Sequence, residues 1–97
     1  MVEHLVLFQL KPAATEAQID TMLAGLRGLA DQIDVIRELS CGRNYSDRAN
    51  GHQVALRVLF ASREGLAAYI PHPAHQACVE QCVKPIMAGV TVADYEC

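Results

Sequence analysis

Val2-Glu3-His4-Leu5-Val6-Leu7-Phe8-Gln9-Leu10 decides the fold, because it reads as a strand with two apolar sides. Side chains of a strand point alternately to its two faces. One side carries Val2, His4, Val6, Phe8 and Leu10, and the other carries Glu3, Leu5, Leu7 and Gln9. The first is the more apolar and faces the core, with His4 among its residues. A histidine in such company is ordinarily a satisfied core residue. The second side still needs cover.

Working outward, Lys11-Pro12 ends the strand, and Thr15 with Gln18 three residues on forms a capping box. Ile19, Met22, Leu23, Leu26, Leu29, Ala30 and Ile33 then recur at helical spacing, which predicts an amphipathic helix over Thr15 to Gln32. Val35 to Arg43 reads as a second strand. The polar stretch Asp47 to Gly51 closes on Asn50-Gly51, a turn signal. His52 to Phe60 is a third strand, with Val54, Leu56, Val58 and Phe60 on one side. Ser62 offers an N-cap for a helix over Arg63 to Tyr69. A further helix spans Ala74 to Lys84, and Gly89 introduces a last strand, Val90 to Tyr95.

The order β-α-β-β-α-(α)-β is that of a ferredoxin-like split βαβ fold, an α+β domain with a four-stranded antiparallel sheet. Its helices cover one face only, the side holding His4, Val6, Phe8, Val54, Leu56 and Val58. Leu5, Leu7, Ala55 and Leu59 are left on the opposite face, where water would meet an apolar patch. Pairing two sheets face to face hides that patch, so a homodimer is expected.

Composition bounds the function. Ninety-seven residues make one domain, 1–97. Apolar residues are 52% of the chain and aromatics 5%, so the core is aliphatic. The net charge of -3 and pI near 5.7 argue against nucleic acid. No apolar run approaches the roughly 20 residues that cross a bilayer, so no membrane role is expected. Met1-Val2-Glu3-His4 lacks the basic start of a signal peptide, and a cytoplasmic protein is expected.

Chemistry concentrates at Tyr69-Ile70-Pro71-His72-Pro73-Ala74-His75. Two prolines force one helix to stop near Tyr69, and Pro73 suits the first position of the next. A rigid corner holding a phenol and two imidazoles can align a proton donor with an acceptor. The plainer alternative is a corner whose histidines cap backbone groups. His72 is expected to point outward or to cap the following helix. Cys78 and Cys82 lie four apart among Val79, Val83 and Ile86, as small core residues do. A metal site from His72, His75, Cys78 and Cys82 matches no standard zinc spacing, and none is expected. With no export signal, the four cysteines are not read as disulfides.

The chain resembles the stress-responsive A/B-barrel domain (Dabb) family of the dimeric α+β barrel superfamily. The resemblance rests on His4-Leu5-Val6-Leu7-Phe8, Gly42-Arg43-Asn44-Tyr45-Ser46, Phe60-Ala61-Ser62-Arg63-Glu64-Gly65-Leu66, Tyr69 to His75, and Val92-Ala93-Asp94-Tyr95. It implies a dimer whose two sheets form a barrel. One plant branch of the family closes poly-β-keto chains by aldol chemistry without a cofactor. By that likeness His75 is a general base, Tyr69 holds a substrate carbonyl, and His4 lines the pocket. The pocket, between sheet and helices, would be lined by Val6, Phe8, Met22, Leu23, Leu26, Val58, Cys78 and Cys82 and take a small apolar or β-keto ligand. The family's plant cyclases have bulky aromatics where this chain has Met22, Leu23, Leu26, Cys78 and Cys82. The resemblance leaves two other functions open, a non-catalytic stress-associated assembly protein and a cofactor-free monooxygenase or isomerase.

Overall fold

The structure, a computed structural model, describes all of residues 1–97. Its elements are β1 (Val2–Leu10), α1 (Glu16–Gln32), β2 (Ile36–Arg43), β3 (His52–Phe60), α2 (Arg63–Tyr69), α3 (Pro73–Cys78) and β4 (Met87–Glu96). Between α3 and β4 the helix continues as a π-wound turn over Val79–Val83. The four strands form one antiparallel sheet in the order β2-β3-β1-β4, so the first strand is central and pairs with both the third and the fourth. This is the ferredoxin-like arrangement expected. No helix is long and apolar enough to cross a membrane.

Local signals set the boundaries. Thr15 accepts from the Gln18 amide at 3.1 Å while the Gln18 side chain accepts from the Thr15 amide at 3.0 Å, closing the capping box that starts α1. Asn50 and Gly51 both take positive φ, 55° and 82°, which a tight two-residue turn demands and which few residue types adopt cheaply. Two expectations need correction. The helix expected to run unbroken to Lys84 is α-helical only to Cys78; beyond it the Lys84 amide bonds the Val79 carbonyl five residues back, at 2.8 Å. The last strand begins at Met87, three residues before Val90, because pairing with Leu10 and Gln9 of β1 extends it past Gly89.

Periodicity becomes packing along α1. Ile19, Met22, Leu23, Leu26 and Leu29 are buried, and with Ile33 they meet Val6, Phe8, Val54, Leu56, Val58 and Phe60 of the sheet in one core of 18 residues. Burying a large aliphatic side chain stabilises by about 1.5–3 kcal/mol, so this stripe holds the helix far more firmly than its caps do. On the opposite sheet face Leu5 and Ala55 are half-buried and Leu7 is 37% exposed. Leu59 differs from expectation: it is only 8% exposed within one chain. In register it sits between Glu3 and Glu38, and the Arg57 guanidinium on the same face bonds both carboxylates. Leu59 therefore has little apolar surface left to offer a partner.

Candidate functional site

Three elements bring the expected catalytic side chains together. His4 comes from the central strand, Tyr69 from the last residue of α2, and His75 from the first turn of α3. The Tyr69 ring lies between the two imidazoles, with ring centroids 5.9 Å from His4 and 4.3 Å from His75. Phe60 backs it at 5.2 Å. Tyr69 is 1% exposed and His4 6%, while His75 is half-buried.

The backbone fixes the His75 tautomer. Its Nδ1 stands 2.9 Å from the Ile70 carbonyl oxygen. A carbonyl can only accept, so Nδ1 carries the proton and Nε2 is left with its lone pair. Burial pushes the His75 pKa below its ordinary value and outweighs the Ile70 bond, and the neighbouring His4 and His72 act in the same downward direction. The ring is thus a neutral base around pH 7. Tyr69 moves the opposite way: burial first, then the nearby Cys78 thiol, holds its phenol well above the usual range, and so protonated. A neutral imidazole beside a protonated phenol is an acceptor beside a donor.

His72 has another task. Its Nδ1 accepts from the Ala74 amide at 3.1 Å and caps α3. One residue escaped the reading of the sequence. Asp94 lies opposite His4 in the β1–β4 register, and its carboxylate pairs with His4 Nδ1. The signal was present in Val92-Ala93-Asp94-Tyr95, but only the strand register joins it to His4.

The space between helices and sheet is filled by the chain itself. Of the residues expected to line a pocket, Val6, Phe8, Met22, Leu23, Leu26, Val58 and Cys78 are core, with Met22 and Val58 at 0% exposure, and Cys82 is half-buried. The physical reason is volume, since the long aliphatic side chains of α1 reach the sheet at every turn. An apolar cleft instead lies on the other face of the sheet, about 430 Å³ around Leu5, Leu7, Ala55 and Ala93, flanked by Gly42 and Thr91. His72, His75, Cys78 and Cys82 do not assemble into a metal-holding group.

The stress-responsive A/B-barrel domain model matches residues 2–97. The chain belongs to that family. An uncharacterised protein of Streptomyces coelicolor is 34% identical over 98 residues, covering 99% of each chain. The olivetolic acid cyclase of Cannabis sativa is 29% identical over 76 residues, 76% of this chain and 75% of the cyclase. Among solved structures, an Arabidopsis thaliana protein superposes with a TM-score of 0.89 at 25% identity, covering 100% of this chain and 95% of that one. A dimeric ferredoxin-like protein from Bacteroides fragilis gives 0.85 at 24% identity, over 99% and 95% of the two chains. The A/B-barrel fold is thus one whose solved relatives include dimers.

Proposed function

We propose that this A/B-barrel protein is a homodimer, joined through the sheet face of Leu5, Leu7 and Ala55, that performs cofactor-independent acid–base chemistry on a small β-keto ligand at His75 and Tyr69. One observation carries the reading. The Ile70 carbonyl holds His75 with Nε2 as its free base, and the ring of the protonated Tyr69 packs tilted against it, centroid to centroid 4.3 Å. A proton flanked by two carbonyls is acidic enough for an imidazole to remove. Nε2 would take it from carbon while the phenol donates to the developing enolate oxygen. The carbanion then attacks a second carbonyl of the same chain, and the imidazolium returns the proton to the alkoxide that forms. His4, held by Asp94, lies on the far side of the phenol. Binding requires the short helices α2 and α3 to yield, so that Val6, Phe8, Met22, Leu23, Leu26, Val58, Cys78 and Cys82 become walls. The likeness to olivetolic acid cyclase supports a cyclisation of this class.

The filled core favours a second reading, a non-catalytic assembly protein. Incubation with a panel of β-keto acids and thioesters, followed by mass spectrometry of the products, separates the two. Turnover should fall by about 100-fold or more in His75→Ala and by less than tenfold in His72→Ala. Equal losses in the two variants, or no turnover and no shift of the His75 ring resonances on titration, leave only the non-catalytic reading.

A further inference from the structure

The thiols of Cys78 and Cys82 converge on a single point of α1. A Cβ placed on Gly25 would stand 3.1 Å from Cys82 Sγ and 3.4 Å from Cys78 Sγ, so both sulfurs occupy the space that the missing side chain leaves. Their accessibility differs. Cys82 is half-buried and opens into a cleft of about 190 Å³ between Ala17, Gln18 and Thr21 of α1 and Gln81, Pro85 and Ile86. Cys78 is 8% exposed and lies behind it. The segment joining them is the π-wound turn Val79–Val83. Residues four apart in a regular α-helix have Cα atoms about 6 Å apart, within the range a disulfide spans, and wider winding shortens their separation along the axis.

We propose that Cys82 and Cys78 form a reversible two-electron oxidation site for hydroperoxides, with Cys82 attacking and Cys78 resolving. The Cys82 thiolate attacks the terminal peroxide oxygen. The O–O bond breaks, giving a Cys82 sulfenic acid and an alcohol, or water from hydrogen peroxide. The Cys78 sulfur then attacks Cys82 Sγ and loses its proton as hydroxide leaves, so that an S–S bond and one water result. The two thiols supply the two electrons that reduce the peroxide. Burial raises the Cys78 thiol to about 11, which argues against it as the peroxide-attacking thiolate; in the second step its proton goes to the departing hydroxide. Cys41 is engaged elsewhere, with its thiol directed at the Leu23 carbonyl at 3.6 Å, and Cys97 is exposed at the terminus.

The test uses the full chain with Cys97→Ser, treated with hydrogen peroxide, then alkylated under denaturing conditions and mapped by mass spectrometry. Cys78 and Cys82 should both escape alkylation as one cross-linked peptide, Cys41 should label, and dithiothreitol should restore all labelling. Cys78→Ser should strand a sulfenic acid at Cys82 that dimedone captures, and Cys41→Ser should leave the cross-link intact. A cross-link through Cys41, a sulfinic acid at Cys82 with Cys78 still labelled, or full labelling of both thiols would overturn the proposal.

Discussion

Leu7→Lys tests the proposed sheet-to-sheet dimer. Leu7 is 37% exposed in one chain, on the open sheet face, where it helps to line the apolar cleft. Fully burying a leucine is worth about 1.5–3 kcal/mol, so covering the exposed third yields about 0.5–1 kcal/mol per copy. A two-fold axis doubles that loss to about 1–2 kcal/mol. The introduced charge costs more. It would set an ammonium group from each copy into a desolvated interface, at a penalty of several kcal/mol. The total, about 5 kcal/mol or more, weakens dimerisation by over a thousandfold. Sedimentation velocity across a concentration series, with circular dichroism to confirm the fold, reads the effect directly. Ala24→Lys, an equal charge on the exposed side of α1, should leave the dimer unchanged. A folded Leu7→Lys protein that dimerises like the parent refutes the interface, and a parent that sediments as a monomer at micromolar concentration refutes the dimer itself.

Met22→Ala removes a side chain with 0% exposure from the centre of the core and should cost about 2–5 kcal/mol in chemical denaturation. A loss below about 1 kcal/mol would show that the space above the sheet is already adaptable enough to admit a ligand. His75, whose folded pKa lies below its ordinary value, contributes stability that is present above about pH 6.5 and is lost as pH falls through the folded value, because the unfolded chain protonates first. Between about pH 7.5 and 5.5 the parent should therefore lose more stability than His75→Gln, and parallel curves would contradict the assignment.

Much of this was legible in the chain. The two-sided strand Val2 to Leu10, the Thr15–Gln18 box and the Asn50-Gly51 turn each carry a local physical cause, and each fixes one piece of the β-α-β-β-α-β order. The elements that were misjudged depend on distant partners. The π-wound turn at Val79–Val83 has no periodic signature of its own. Leu59 looks like its neighbour Ala55 in the alternation, and only the Arg57 bonds to Glu3 and Glu38 show that it is already covered. Asp94 needed the β1–β4 register. The filling of the inner space is a matter of side-chain reach, which a pattern of apolar positions does not measure.

The corner at Pro71 and Pro73 explains why the two histidines three residues apart are chemically different. In an unbroken helix the Ile70 carbonyl would accept from the Ala74 amide, four residues on. Here the prolines break the helix, and the Ala74 amide turns instead to His72 Nδ1. The Ile70 carbonyl is released and accepts from His75 Nδ1–H at 2.9 Å. One displaced amide therefore sets both rings: His72 must keep Nδ1 unprotonated to accept, and His75 must protonate Nδ1 to donate. The free base of His75 is thus a consequence of where the helix stops. In the parent at pH above 7, long-range ¹⁵N–¹H spectra should show His75 as the Nδ1–H tautomer and His72 as the Nε2–H tautomer. Replacing Pro71 and Pro73 with alanine lets α2 run on, returns the Ala74 amide to Ile70, and should release both rings into the ordinary mixture of tautomers. If His75 keeps its Nδ1–H form after that change, the proline corner does not govern its proton, and the base owes its state to the surrounding core instead.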